Sequence, residues 1–101
     1  MPVVGSTRIA RGVQTTTVTI FNVATVASIE TSQALPSNCK GFILRTRNAS
    51  QARLGYASGS TGTTYFTLAK RAVYNDSNFY TSQTIYFRTT AADVVEIIAF
   101  T

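Results

Sequence analysis

Between Lys40 and Ala57 apolar and polar side chains alternate twice in succession. Phe42, Leu44 and Thr46 alternate with Ile43, Arg45 and Arg47. After Asn48-Ala49-Ser50, Ala52, Leu54 and Tyr56 alternate with Arg53 and Gly55. A repeat of two residues marks a half-buried strand, and two such strands joined by a loop of about three residues predict a β-hairpin. In that register Phe42 lies opposite Tyr56 and Leu44 opposite Leu54, which makes one apolar face expected in the core. The reverse face carries Arg45, Arg47 and Arg53, with Arg45 directly across from Arg53.

The same periodicity places further strands. Val13 to Phe21 alternates Thr16, Val18 and Ile20 with Thr15, Thr17 and Thr19, and Asn22 is expected to end it. The threonine face of this strand is read as a flat polar surface, against water or a symmetry mate. Thr25 to Thr31 continues with weaker alternation. Ser32 to Cys39 reads as a loop, since Pro36 cannot donate to a ladder and Ser37-Asn38 favour a turn; Leu35 is expected to cap the core. Thr64 to Leu68 is a strand after the SGSTGT connection, and Val73-Tyr74 a brief one. Asn75-Asp76-Ser77-Asn78 is a turn cluster, and Phe79 and Tyr80 are placed over the end of the domain. Gln83 to Thr89 forms a strand, Thr90 to Asp93 turns the chain, and Asp93 to Phe100 closes it in a final hairpin. That last strand is apolar on both faces: Val95, Ile97 and Ala99 on one, Val94, Ile98 and Phe100 on the other. It is therefore expected to be central in its sheet or in a subunit interface. Its one charge, Glu96, needs a partner, and Arg88 is the expected one.

About seven or eight short strands without a helix predict an all-β fold, an antiparallel β-sandwich or small barrel, with the jelly roll among its topologies. Residues 1–12 read as an extended N-terminal arm made basic by Arg8 and Arg11, and residues 13–101 as one β-sandwich domain. A chain of 101 residues suffices for one such domain and is short for two.

Composition narrows the chemistry. Charged residues are only 13% of the chain and the net charge is +5; a basic surface attracts nucleic acid, acidic protein or anionic membrane, and also serves plain solubility. Cys39 is the single cysteine and there is no histidine, so neither a disulfide framework nor a zinc site is expected. The four acids, Glu30, Asp76, Asp93 and Glu96, are scattered, whereas acid–base catalysis needs groups held together. SGSTGT lacks the Gly-Lys-Ser/Thr ending of a P-loop. No catalytic residue, cofactor or metal ligand is expected, and the protein is expected not to be an enzyme. The N-terminal sequence lacks the basic-then-apolar layout of a signal peptide, and no apolar run approaches the roughly 20 residues that span a bilayer. No membrane association is expected, and folding in a cytoplasm is. Asn48-Ala49-Ser50 and Asn75-Asp76-Ser77 match the glycosylation sequon and are read as turn residues.

The succession LPSNCKGFILRTRN, ARLGYASGSTGTTYFTLAKRAVY and TIYFRTTAADVVEIIAF, spanning Leu35 to Phe100, resembles small structural proteins of tailed bacteriophage particles. The resemblance implies a β-sandwich component of a virion, either capsid decoration or a part of a collar, fibre or tail. It implies partners among other virion proteins, association with copies of itself, and location in the virion after assembly in the host cytoplasm. On that reading Arg45, Arg47 and Arg53, with Arg8 and Arg11 of the arm, contact an acidic partner surface, and Val94, Ile98 and Phe100 belong to an interface or core strand. Two other readings stay open. One is a nucleic-acid-binding OB-like β module. The other is a carbohydrate-binding sandwich on a fibre or tail, using Tyr65, Tyr74 and Tyr80.

Overall fold

The computed structural model describes residues 16–101, which form eight strands and one short 3-10 turn. In chain order these are β1 (Val18–Thr25), β2 (Thr31–Ala34), β3 (Gly41–Thr46), β4 (Ala52–Gly55), the turn Ser60–Gly62, β5 (Phe66–Leu68), β6 (Tyr74–Asp76), β7 (Thr84–Thr89) and β8 (Asp93–Phe100). Two four-stranded sheets result, ordered β1-β8-β3-β6 and β2-β7-β4-β5, with every pairing antiparallel. The pairings are nested, β1 with β8, β2 with β7, β3 with β6 and β4 with β5. That is a long hairpin rolled into a sandwich, the eight-stranded jelly roll. The arm expected at residues 1–12, with Arg8 and Arg11, lies outside the described residues.

The core lies between the sheets. Phe42 and Leu44 of β3 and Val95, Ile97 and Ala99 of β8 meet Ala52 and Leu54 of β4 and Ile85 and Phe87 of β7, with Leu35, Cys39 and Leu68 closing the sides. Fully burying one such large aliphatic or aromatic side chain stabilises the fold by about 1.5–3 kcal/mol. Leu35 caps the core as expected, and β8 is central, between β1 and β3. Cys39 is fully buried, its Sγ donating to the Gly41 carbonyl at 3.2 Å.

Several local expectations give way to this topology. The predicted Lys40–Ala57 hairpin does not form, because β3 and β4 lie in different sheets and the Arg47–Gln51 segment crosses between them. Phe42 faces Tyr56 across the sandwich, ring centroids 6.4 Å apart, instead of lying beside it. The same holds for β7 and β8, which are consecutive but not paired. For β3 and β4 the alternation identifies the inward faces correctly, and in both cases a jump between sheets takes the place of the expected tight turn. Asn22 does not end β1 but sits opposite Glu96; β2 (Thr31–Ala34) takes in Ser32 to Ala34, where a loop was expected, and residues 26–30, expected to belong to a strand, form a turn between β1 and β2. Asp76 ends β6 and is not a turn residue, whereas Asp93 begins β8, which runs to Phe100 as expected. Tyr80 packs on the core, but Phe79 points to solvent.

The largest inversion is in β1. Phe21 and Val23 pack inward and Thr19 shares their half-buried face, whereas Val18 and Ile20 are 54% and 63% exposed. The outer face of the first sheet at β1 is thus apolar, and the polar face expected there turns partly inward.

Candidate functional site

Register sets out the outer face of the first sheet in rows. Val18 lies opposite Phe100, which lies opposite Gly41. Ile20, Ile98, Ile43 and Asn75 form the next row across all four strands. Asn22, Glu96 and Arg45 form a third. Between these rows and Val73 runs a shallow groove of about 400 Å³, floored by Ile20, Ile43 and Ile98 and ended by Arg45 and Glu96. Val73 is itself well exposed. The expected interface residues Val94, Ile98 and Phe100 are all half-buried on this face.

The arginine face expected from the sequence is divided between the two sheets. Arg45 and Arg47 both bind Glu96, with Nε donating to Oε1 and to Oε2 at 2.8 Å each. These two hydrogen bonds, Arg47's first, hold the Glu96 carboxyl below its ordinary range. Arg45 is opposite Glu96 in register, so the expected partner Arg88 is replaced by the strand neighbour that the true pairing supplies. Arg53 lies on the other sheet, opposite Arg88 and not Arg45. Its guanidinium covers the Tyr65 ring at 4.3 Å and donates from Nη1 to the Thr61 carbonyl at 3.2 Å.

The segment after β4 folds back over the outer face of the second sheet. Gly55 permits this approach, since a Cβ there would stand 1.8 Å from Ser60 Oγ. Glu30 secures the segment, accepting from the Thr61 hydroxyl and from the backbone N–H groups of Gly59 at 2.9 Å and Thr61 at 3.2 Å. The Thr61 hydroxyl, then the Gly59 N–H, pull the Glu30 carboxyl below its usual value.

The remaining two acids bind the fold together. Asp76 Oδ2 accepts from the hydroxyls of Tyr56 and Tyr80 at 2.6 Å each, and Oδ1 accepts from the Asn78 backbone at 2.9 Å and side chain at 2.8 Å. Burial alone would raise the Asp76 carboxyl, but these bonds outweigh it and hold it low. Burial, and then the Asp76 bond, drive the Tyr56 phenol far upward. Asp93 Oδ1 accepts from Asn48 N–H at 2.9 Å and Val94 N–H at 2.6 Å, and Oδ2 from Ser50 N–H at 3.2 Å. It thereby ties down the crossover between β3 and β4. Burial opposes its ionisation, and the N–H groups, Asn48's first, outweigh that and lower it.

All four carboxylates are thus pulled below their ordinary values and engaged in structural contacts. Among the described residues no three His, Cys, Asp or Glu side chains are placed to hold a metal ion, and no helix is long and apolar enough to cross a membrane. Of the tyrosines considered for glycan stacking, Tyr74 and Tyr80 pack against the core and Tyr65 is exposed beside Phe66.

No protein-family model matches the chain, and neither a curated protein nor a solved structure does.

Sequence reasoning missed the Asp76–tyrosine cluster and the apolar outer rows. Tyr56 and Asp76 are separated by 20 residues, and no local pattern announces their contact. The outer rows left a fainter signal in β8, whose two apolar faces were legible from the sequence.

Proposed function

We propose that this protein is a non-enzymatic structural subunit of a phage particle, which acts by binding other virion subunits, its own copies included. Capsid decoration or stabilisation, or a place in a collar, fibre or tail, fits this role. The observation that carries the reading is the outer face of the first sheet, where Val18, Ile20, Ile43, Val73, Ile98 and Phe100 form a continuous apolar surface around a groove. A sheet face in contact with water normally carries alternating polar side chains, and contiguous exposed apolar area marks an interaction surface. Arg45, Arg47 and Glu96 border the apolar rows, as a charged rim borders the desolvated centre of an interface. The resemblance over Leu35 to Phe100 supports placing that interface in a virion, and the engagement of all four carboxylates supports a role without catalysis.

Arg45 and Arg47 contribute to the proposed contact with their charge half spent on Glu96. The apolar rows supply the affinity, and the ion-paired rim supplies register and rejection of wrong partners.

The test is the mass of the purified protein in solution by native mass spectrometry and sedimentation, for the wild type and Ile20→Lys. Ile20 points away from the core, so the variant keeps its fold, checked by an unchanged far-UV circular dichroism spectrum. The wild type is expected to form an oligomer, and Ile20→Lys to shift it to monomer. A wild-type monomer across the accessible concentration range, with no affinity for a phage particle, rules the reading out.

A further inference from the structure

We propose that Arg53 and Arg88 form a binding site for a small tetrahedral oxyanion, a sulfate or phosphate group, on the outer face of the second sheet. The two arginines are direct cross-strand partners, Arg53 in β4 and Arg88 in β7. Like charges in that relation repel and destabilise the strand pair. Neither has a carboxylate within ion-pair distance among the described residues, where both ion pairs belong to Glu96. Glu30 lies near enough to Arg88 to feel its charge, but its oxygens are taken by Gly59 and Thr61.

Arg88 is the less satisfied of the two. Its Nε is buried without a hydrogen-bond partner, and the 3-10 turn lies over its guanidinium, with the Gly62 Cβ position 3.6 Å from Nη2. A buried donor left without a partner is uncommon in folded proteins and points to a missing water or ion. Arg53 is held in place from above by the Thr61 carbonyl and the Tyr65 ring. It is thus oriented before any ligand arrives, which lowers the entropy lost on binding.

Beside the pair opens a niche of about 160 Å³, lined by Arg53, Arg88, Ser28, Gln51 and Thr90 with no acidic residue. One water needs roughly 10–15 Å³ of such space, so the niche admits a small oxyanion with some hydration. Ser28 is fixed at its rim, with φ of 61° and its N–H bonded to the Thr89 carbonyl at 2.8 Å. Guanidinium donors thus come from two strands, and the side chains of Ser28 and Gln51 bring further polar groups from the loops at their ends, while the Thr90 hydroxyl already donates to the Gln51 carbonyl at 3.4 Å. Donors on several sides suit the outward oxygens of a tetrahedral anion better than a planar carboxylate, which one guanidinium fork already matches. The site lies on the opposite sheet from the proposed subunit interface and does not depend on it.

The experiment follows the arginine Nε–Hε signals by NMR while chloride is exchanged for sulfate at constant ionic strength. Parallel titrations use inorganic phosphate, glucose 6-sulfate and acetate. Saturable movement of the Arg53 and Arg88 signals is expected, with Arg45 and Arg47 stationary. Tighter binding of glucose 6-sulfate than of sulfate assigns the oxyanion to an ester on a larger ligand, and the reverse order to a free ion. Arg88→Gln should weaken binding by roughly tenfold or more, about 1.4 kcal/mol. Arg88→Lys, which keeps the charge and spares the fold, should weaken it in the same direction because the planar fork is lost. Unsaturable drift shared by all arginines overturns the proposal. So does acetate binding as tightly as sulfate, or undiminished binding by Arg88→Lys.

Discussion

Asp76→Asn isolates the polar cluster that closes one end of the sandwich. The wild-type carboxylate is 5% exposed and accepts four hydrogen bonds, two of them short bonds from Tyr56 and Tyr80 to the same oxygen. An amide of the same shape has one acceptor oxygen and one NH₂ donor. With its oxygen toward Asn78, its NH₂ meets two tyrosine hydroxyls that must rotate to accept; with its oxygen toward the tyrosines, the NH₂ meets the two Asn78 donors. The first arrangement is the less costly; it exchanges the two charge-assisted tyrosine bonds for neutral ones and leaves the two Asn78 bonds neutral as well. Hydrogen bonds to a charged group contribute about 1.5–3 kcal/mol and neutral ones about 0.5–1.5, so the tyrosine pair alone loses about 2–3 kcal/mol, a lower bound on the total. For a domain of this length that lowers Tm by roughly 10–20 °C, at about 4–8 °C per kcal/mol. The assay is thermal and urea unfolding followed by far-UV circular dichroism and tyrosine fluorescence. The pH dependence gives a second, independent reading. Asp76 has its folded pKa below the ordinary 3.8, so its contribution is complete above that value and is lost as pH falls through the folded one. The gap between wild type and Asp76→Asn should be full at neutral pH and close in acid. Tyr56 has its pKa raised above the ordinary 10.0, so stability holds below pH 10 and falls above it as the unfolded chain ionises. Burial is the larger cause of that shift, so the alkaline loss should persist in the variant. A difference under about 1 kcal/mol at neutral pH, or a gap that stays constant into acid, would refute this account of the cluster.

Two further substitutions probe other parts of the fold. Gly41→Ala introduces a Cβ only 2.6 Å from the Asp76 carbonyl oxygen at a backbone φ of +147°. It should destabilise by about 2 kcal/mol or more, from overpacking and backbone strain together, measured as a fall in the urea midpoint with unchanged slope. Glu96→Gln removes the shared partner of two exposed arginines. It should lower Tm slightly at low salt, with no difference left at high salt where the exposed charges are screened.

Inward faces were legible in the sequence because burial imposes a two-residue period on each strand separately. Phe42, Leu44, Leu54 and Tyr56 are expected in the core; the first three are buried there and Tyr56 packs against it half-buried. Pairing was not legible, because period-two alternation says which face is buried and nothing of which strand lies alongside. The β3–β4 and β7–β8 connections are short enough for hairpins, yet both cross between sheets. One reason is visible only in three dimensions: Asp93 binds the N–H groups of Asn48 and Ser50, so the two crossovers hold each other open. Every misplaced arginine follows from that single error. Arg45 gained Glu96 as neighbour, and Arg53 gained Arg88. In β1 the phase is opposite to the one its threonine face suggests, since the inward pair Phe21 and Val23 straddles Asn22, the expected end of the strand.

The nested pairing also constrains when the protein can fold during synthesis. Among the described residues β1 pairs with β8 alone, and β8 separates it from β3. The first described strand to leave the ribosome must therefore wait for the last before it has a hydrogen-bonding partner. Ile20 and Val18 stay uncovered throughout that interval, as does the inward pair Phe21 and Val23. Pairings of such long sequence separation form slowly, and unpaired apolar strands are prone to aggregate meanwhile. Closure of this sandwich consequently waits on β8, which slots between two strands made long before it.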